Sequence, residues 1–338
     1  MAGLRRRRGP LRYPKIALAG ALGAGLMVVE HQRARQWRAG GQELVDAGLA
    51  LPHELEHRFV AVSDGGRVHA AQSGQGPPVV LVHGVTLSMA TWALQVRSLS
   101  TSHRVIIVDQ RGHGQSLAGS SGFSMERMGQ DVLEVLQALE VEQAVLVGHS
   151  MGGMVSLALA VHHPHELARR VRALLLVATS AGPVAPRSVG SLPQSLLPVA
   201  RRVLTSAERH GAGLVPQGDL ATWLARLSFG RDPAPAHIEL TRSMIASMSP
   251  LAMAGILEPL LGYDVRSRLE AVSLPTTVLV GTRDVLTPPP AARLIARRIP
   301  GAALSLLEGC GHMVMLERPA HLARAISEMT LVAATPTP

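Results

Sequence analysis

Apolar and polar positions along this chain fall into short buried runs alternating with helix-periodic stretches. Arg58 to Gln72 reads as a hairpin: Phe59-Val60-Ala61-Val62, a turn at Asp64-Gly65-Gly66, then Val68-His69-Ala70-Ala71. Continuous apolar runs follow at Val79–Val82, Arg104–Val108, Ala144–Val147, Ala173–Val177, Thr276–Gly281 and Ala303–Leu307, and each predicts a strand. Between them lie helical patterns, at Met89 to Leu99 and at Met125 to Leu139. The second places apolar residues at 128, 132, 135, 136 and 139, one face of a helix. Strands alternating with helices predict a mostly parallel sheet with helices on both faces, an α/β fold.

The alternation breaks between about Ser180 and Glu270. That stretch is punctuated by prolines and reads as several helices, including Ile238 to Met248 and Leu251 to Leu261. Near the N-terminus, residues 1 to 15 are basic, and Ile16 to Val29 is an unbroken apolar run rich in Ala and Gly. Residues 30 to 57 are polar and mixed and read as a linker with a helical turn or two. Residues 331 to 338 form an Ala-Thr-Pro tail.

Hydrophobic residues make up 47% of the 338 positions but aromatics only 2%, so the core must be aliphatic. The net charge of +9 is concentrated at one end. Nine Arg and Lys against Glu30 in residues 1 to 40 give +8, and the remainder is nearly neutral. With no aromatic-basic interleaving either, nothing points to nucleic acid. The single cysteine, Cys310, excludes an intrachain disulfide.

The chemistry gathers at strand ends. Gly148-His149-Ser150-Met151-Gly152 lies between an apolar strand and a small-residue helix, the setting of a nucleophile elbow. Its glycines remove Cβ atoms that would block so tight a turn. A serine hydroxyl needs a base, and the base needs an orienting acid. Asp284 follows the strand Thr276–Gly281, and His312 follows Ala303–Leu307. Three candidates, Ser150, Asp284 and His312, thus sit at the carboxyl ends of strands, where parallel α/β sheets bind ligands. Ser150 would also suit a helix N-cap.

On these residues the chain resembles the α/β-hydrolase superfamily. Four blocks carry the resemblance: Leu81-Val82-His83-Gly84, Asp109-Gln110-Arg111-Gly112-His113-Gly114-Gln115-Ser116, the elbow, and the Asp284/His312 pair, in the order Ser, Asp, His. It covers residues 58 to about 328 and is nearest the capped esterases, lactonases and cofactor-free haloperoxidases. It implies an α/β-hydrolase fold, with residues 180 to 270 as an inserted helical cap. Ser150 would be the nucleophile, His312 the base and Asp284 the acid. The amides of Met151 and Val85 would form the oxyanion hole. Asp109 belongs to a turn that the family uses structurally, and Asp264 reads as a loop brace. Ser150 at the elbow sets aside the epoxide hydrolases and haloalkane dehalogenases, which carry Asp there.

The implied activity is cleavage of a carboxylic ester or lactone, without cofactor or metal. The same triad serves perhydrolysis, carbon–carbon bond hydrolysis and acyl transfer, and a non-catalytic binding protein is the alternative of another class. Trp92, Met244 and Met248, with Met253, read either as core or as an adaptable substrate lining. The His162, His163, His165 cluster lacks metal-ligand spacing. Ile16–Val29 would reach about 21 Å as a helix, short of a bilayer core of roughly 30 Å. With the basic residues before it and no small-residue cleavage site after it, it reads as an uncleaved membrane anchor with the hydrolase domain outside. A soluble protein with an Ala/Gly-rich packed helix is the alternative.

Overall fold

The computed structural model describes residues 41–183, 196–211 and 219–332. The basic tail, the apolar run at 16–29 and the C-terminal tail from 333 lie outside the described residues. Eight strands form one sheet: β1 (Glu56–Ala61), β2 (Arg67–Ser73), β3 (Pro78–Val82), β4 (Arg104–Val108), β5 (Ala144–His149), β6 (Val171–Val177), β7 (Thr276–Gly281) and β8 (Ala303–Leu307). Their order is β1-β2-β4-β3-β5-β6-β7-β8. The β1–β2 and β2–β4 pairings are antiparallel, and all others are parallel. After β3 the chain steps to β4 on one side and then to β5 on the other. The loops leaving β3 and β5 therefore part at a topological switch point, which opens a crevice above Val82 and His149.

Helices cover both faces. They are α1 (Gly41–Asp46), α2 (Ala93–Leu99), α3 (Met125–Ala138), α4 (Met151–His162), α5 (Pro164–Arg170), α6 (Leu197–Arg209), α7 (Asp219–Leu227), α8 (Pro235–Ser247), α9 (Pro250–Gly262), α10 (Pro289–Arg298), α11 (Val314–Glu317) and α12 (Pro319–Val332). Alternation along each strand divides the core in two. Val80, Val82, Ile106 and Val108 pack with α3, α4 and α10. Val79, Leu81, Val105 and Ile107 pack with α2, α8 and α12. Helix α4 is buried from Met151 to Val161, which explains its apolar residues on every side. Helix α3 shows the predicted single apolar face and starts at Ser124, whose hydroxyl accepts the Arg127 N–H at 3.0 Å.

Helices α6 to α9 occupy the interval between β6 and β7, where the proline-punctuated stretch was expected to form a cap. Helix α6 lies against α9, and α7 against α8. The cap is pinned to the sheet domain by Tyr263, whose hydroxyl donates to the Met154 carbonyl at 2.8 Å, and by the Val265 N–H to the Ala181 carbonyl at 2.8 Å. The linker reading of residues 30 to 57 holds poorly at its end. Leu49 and Leu55 are buried in the core, and the Gly48 and Ala50 carbonyls accept from Arg97. Two leucines in a polar stretch gave too little periodicity to be read as core. Among the described residues no single helix is long and apolar enough to cross a bilayer.

Candidate active site

Ser150 occupies the one-residue hinge between β5 and α4, with φ of 53° and ψ of −119°. A non-glycine residue in that region is strained and persists only where its surroundings hold it. Here the Ser150 N–H donates to the Val177 carbonyl at 2.9 Å, and the Thr179 hydroxyl donates to the Ser150 carbonyl at 2.6 Å. The flanking glycines are required by close approach. A Cβ on Gly148 would stand 2.5 Å from the Gly152 carbonyl oxygen, and one on Gly152 would stand 2.3 Å from that of Val82.

The turn after β7 delivers Asp284, and the loop after β8 delivers His312. The imidazole Nδ1 lies 2.9 Å from Asp284 Oδ2. The carboxylate also accepts the Leu286 and Thr287 N–H groups, both at 2.9 Å on Oδ1, and the Thr287 hydroxyl at 2.7 Å on Oδ2. Burial pushes the Asp284 carboxyl up. The charge and hydrogen bond of His312, with the Thr287 donors, outweigh burial and hold it below its ordinary value. The His312 N–H is in turn fixed to the Ser228 carbonyl, at 2.8 Å, at the end of α7.

Ser150, His312, Thr287 and Val85 all line one cavity of about 1420 Å³ between the sheet domain and the cap. The Ser150 hydroxyl makes no hydrogen bond of its own among the described residues. The N–H groups of Met151, at the start of α4, and of Val85, on the β3 loop, likewise have no partner there. A Cβ on Gly84 would lie 3.0 Å from Ser150 Cβ, so glycine lets the β3 loop close on the serine. The arrangement places a free hydroxyl, a carboxylate-oriented imidazole and unpaired amides beside one cavity.

A family model described as the alpha/beta hydrolase fold matches residues 77–319. The chain belongs to the α/β-hydrolase fold family. It is 31% identical over 257 residues to a pimeloyl-[acyl-carrier protein] methyl ester esterase of Aeromonas hydrophila, covering 75% of this chain and 94% of that one. Among solved structures it is similar to a thermophilic esterase from Thermogutta terrifontis, with 29% identity, a TM-score of 0.69, and coverage of 83% of this chain and all (100%) of that one. An enol-lactonase from Burkholderia xenovorans matches at 25% identity with a TM-score of 0.68, over 81% of this chain and 100% of that one.

Three residues of the hydrolase that were candidates for substrate contact lie elsewhere. Trp92 has no exposed surface and packs in the core, edge-on to His149 at 6.4 Å. Met244 and Met248 are buried in the two core clusters and do not line the cavity. On α8 it is Thr241 and Ile245 that face the space, and Met154 and Met313 supply the methionine lining. Of the two readings, core and lining, Trp92, Met244 and Met248 take the core one. Asp109 is structural: its carboxylate accepts the Met89 N–H at 2.8 Å and the Gln115 N–H at 3.2 Å and pairs with His69. Asp264 pairs locally with Arg266 in an exposed loop. Burial pushes the Cys310 thiol up to about 12, which leaves it protonated and unreactive. His162 of the histidine cluster faces Glu126 at 3.1 Å, and among the described residues no His, Cys, Asp and Glu side chains converge as a metal site.

Two neighbours of Asp284 and His312 escaped the sequence reading. Thr287 sits three positions after Asp284, a spacing that suits a hydroxyl folding back on the carboxylate. His149 reaches the backbone of His312, a contact between residues 163 apart that no local pattern announces.

Proposed function

We propose that this hydrolase cleaves carboxylic esters, lactones included, through an acyl-enzyme on Ser150. The observation that carries the reading is the 2.9 Å contact of His312 Nδ1 with the buried Asp284 carboxylate, in the same cavity as the strained Ser150. His312 Nε2 takes the Ser150 proton as Oγ attacks the substrate carbonyl. The amides of Met151 and Val85 take up the oxyanion. The C–O bond to the leaving alcohol breaks, and that oxygen receives the proton from His312. Water, deprotonated by the same imidazole, then releases the acid and regenerates Ser150. Asp284 fixes the tautomer that leaves Nε2 free to accept, and it stabilises the imidazolium. The esterase and lactonase relatives support this choice over perhydrolysis or acyl transfer.

The test is turnover of a p-nitrophenyl ester series from C2 to C16 by wild type and Ser150→Ala. Multiple turnover lost by roughly 10⁶ in kcat in the variant is expected. A wild-type enzyme that merely binds the esters, or a variant that still turns them over, defeats the reading.

We also propose that Ile16–Val29, preceded by six cationic residues, holds the protein at a membrane with the hydrolase domain outside. Full-length protein should resist carbonate extraction, while protein lacking residues 1 to 40 should not. Equal extraction of both contradicts the anchor.

A further inference from the structure

Helix α6 is amphipathic, and its half-buried apolar stripe, Leu197, Ala200, Leu204 and Ala207, recurs at helical spacing. At 100° per residue, Pro198, Arg201, Arg202, Thr205 and Arg209 share one face, and all five line the cavity that holds Ser150 and His312. A third face is turned to solvent. Val199 and Val203, with Leu196 just before the helix, are 52%, 62% and 44% exposed to solvent. The orientation is set by α9, where the Glu208 carboxylate accepts the Ser249 hydroxyl at 3.1 Å and the Leu251 N–H at 3.3 Å. The other walls of the cavity include Met154, Ile245, Leu260 and Met313. Three solvent-exposed arginines thus stand on the cap side of the cavity that Ser150 and His312 line.

Those charges are poorly compensated. Arg201 meets Glu258 at 3.7 Å, and Glu258 is the one carboxylate lining the cavity among the described residues. Arg202 and Arg209 form no ion pair or hydrogen bond among the described residues. A guanidinium fork beside an apolar chamber suits a phosphate or a carboxylate. Resting on the ester-hydrolase reading, we propose that α6 is the specificity element of this cavity. Its preferred substrate is an ester bearing an anionic group, phosphate or carboxylate, joined to the scissile carbonyl through an apolar spacer. The spacer lies along the methionine and leucine walls, and the anion meets Arg202 and Arg209.

The experiment compares p-nitrophenyl hexanoate with its ω-carboxylate and ω-phosphate analogues, and wild type with R202E/R209E. Wild type should favour one or both anionic esters by about ten-fold in kcat/KM at low ionic strength, chiefly through KM. The preference should shrink in 1 M salt, where the screening length is about 3 Å. In R202E/R209E the ratio of anionic to neutral ester should fall below one. The two anionic arms decide between carboxylate and phosphate. A ratio near one in wild type, or a ratio that survives R202E/R209E, overturns the proposal while leaving the esterase reading intact. Absence of turnover on every ester defeats the esterase reading instead. Calorimetric binding of hexyl phosphate, adipate and hexanol to Ser150→Ala then reads the anion preference without chemistry. Equal affinity for all three overturns it.

Discussion

The ring of His149 lies 4.7 Å from the ring of His312, and its Nε2–H donates to the His312 carbonyl at 3.0 Å. The residue before Ser150 therefore holds the backbone of His312. Burial, and then the charge of His312, keep the His149 imidazole well below its ordinary pKa, so it acts as a neutral donor. His149→Phe keeps the bulk and removes the donor. It should lower kcat about ten-fold with little change in KM, and destabilise the protein by about 1–3 kcal/mol through the orphaned carbonyl. His149→Gln, which can still donate, should recover part of both losses. Michaelis parameters and urea unfolding of the two variants check this. Unaltered kcat in His149→Phe means that His312 is positioned without it.

Asp284 and Asp109 are both buried carboxylates at strand ends, and their partners separate them. Asp284→Asn should fold normally and lose roughly 10⁴ in kcat through the wrong imidazole tautomer. Asp109→Asn should chiefly lower stability, because its partners are turn amides and His69. Turnover and thermal melting of the two purified variants give the comparison. A reversed pattern reassigns the acid.

Thr287 donates to Asp284 Oδ2 and lies 3.2 Å from His312 Nδ1. Thr287→Val removes the hydroxyl at nearly constant volume and should reduce kcat by about ten-fold, a charge-assisted hydrogen bond being the loss. Thr287→Ser should restore it. Equal activity in all three proteins would show that the backbone donors suffice.

Three buried histidines predict the acid limb of stability. Burial lowers the imidazoles of His83 and His149, and holds His113 at about 3 against an ordinary 6.5. A depressed folded-state pKa means that the unfolded chain binds protons first as pH falls. The stabilisation is complete above pH 6.5 and is lost below it, by about 1.4 kcal/mol per pH unit for each histidine until its folded pKa is reached. Urea unfolding between pH 7.5 and 5 should show a steep fall below 6.5. His113→Gln should flatten the slope while lowering stability at neutral pH. Constant stability over that range contradicts the assignment.

Much of this was legible in the sequence because the determinants are local. A strand buried on both faces is a continuous apolar run, as at Val79–Val82, and the strained turn at Ser150 needs Gly148 and Gly152 beside it. The candidates Ser150, Asp284 and His312 could be read because each follows a recognisable strand. Contacts between distant segments could not. Trp92 and Met244 have the composition of a substrate wall, but which side of a helix meets a cavity depends on how the cap docks. Arg201, Arg202 and Arg209 fell in a stretch legible only as helices, and that their face meets the cavity follows from how α6 docks on α9.

The central claim is that Ser150 is the nucleophile, and covalent labelling tests it most directly. A fluorophosphonate probe should attach to Ser150 alone, as seen by peptide mapping, with activity lost in step with labelling. Cys310→Ala should label and turn over within a few-fold of wild type, and Ser150→Ala should not label at all. Labelling that persists in Ser150→Ala, or inactivation that maps to Cys310, contradicts the account.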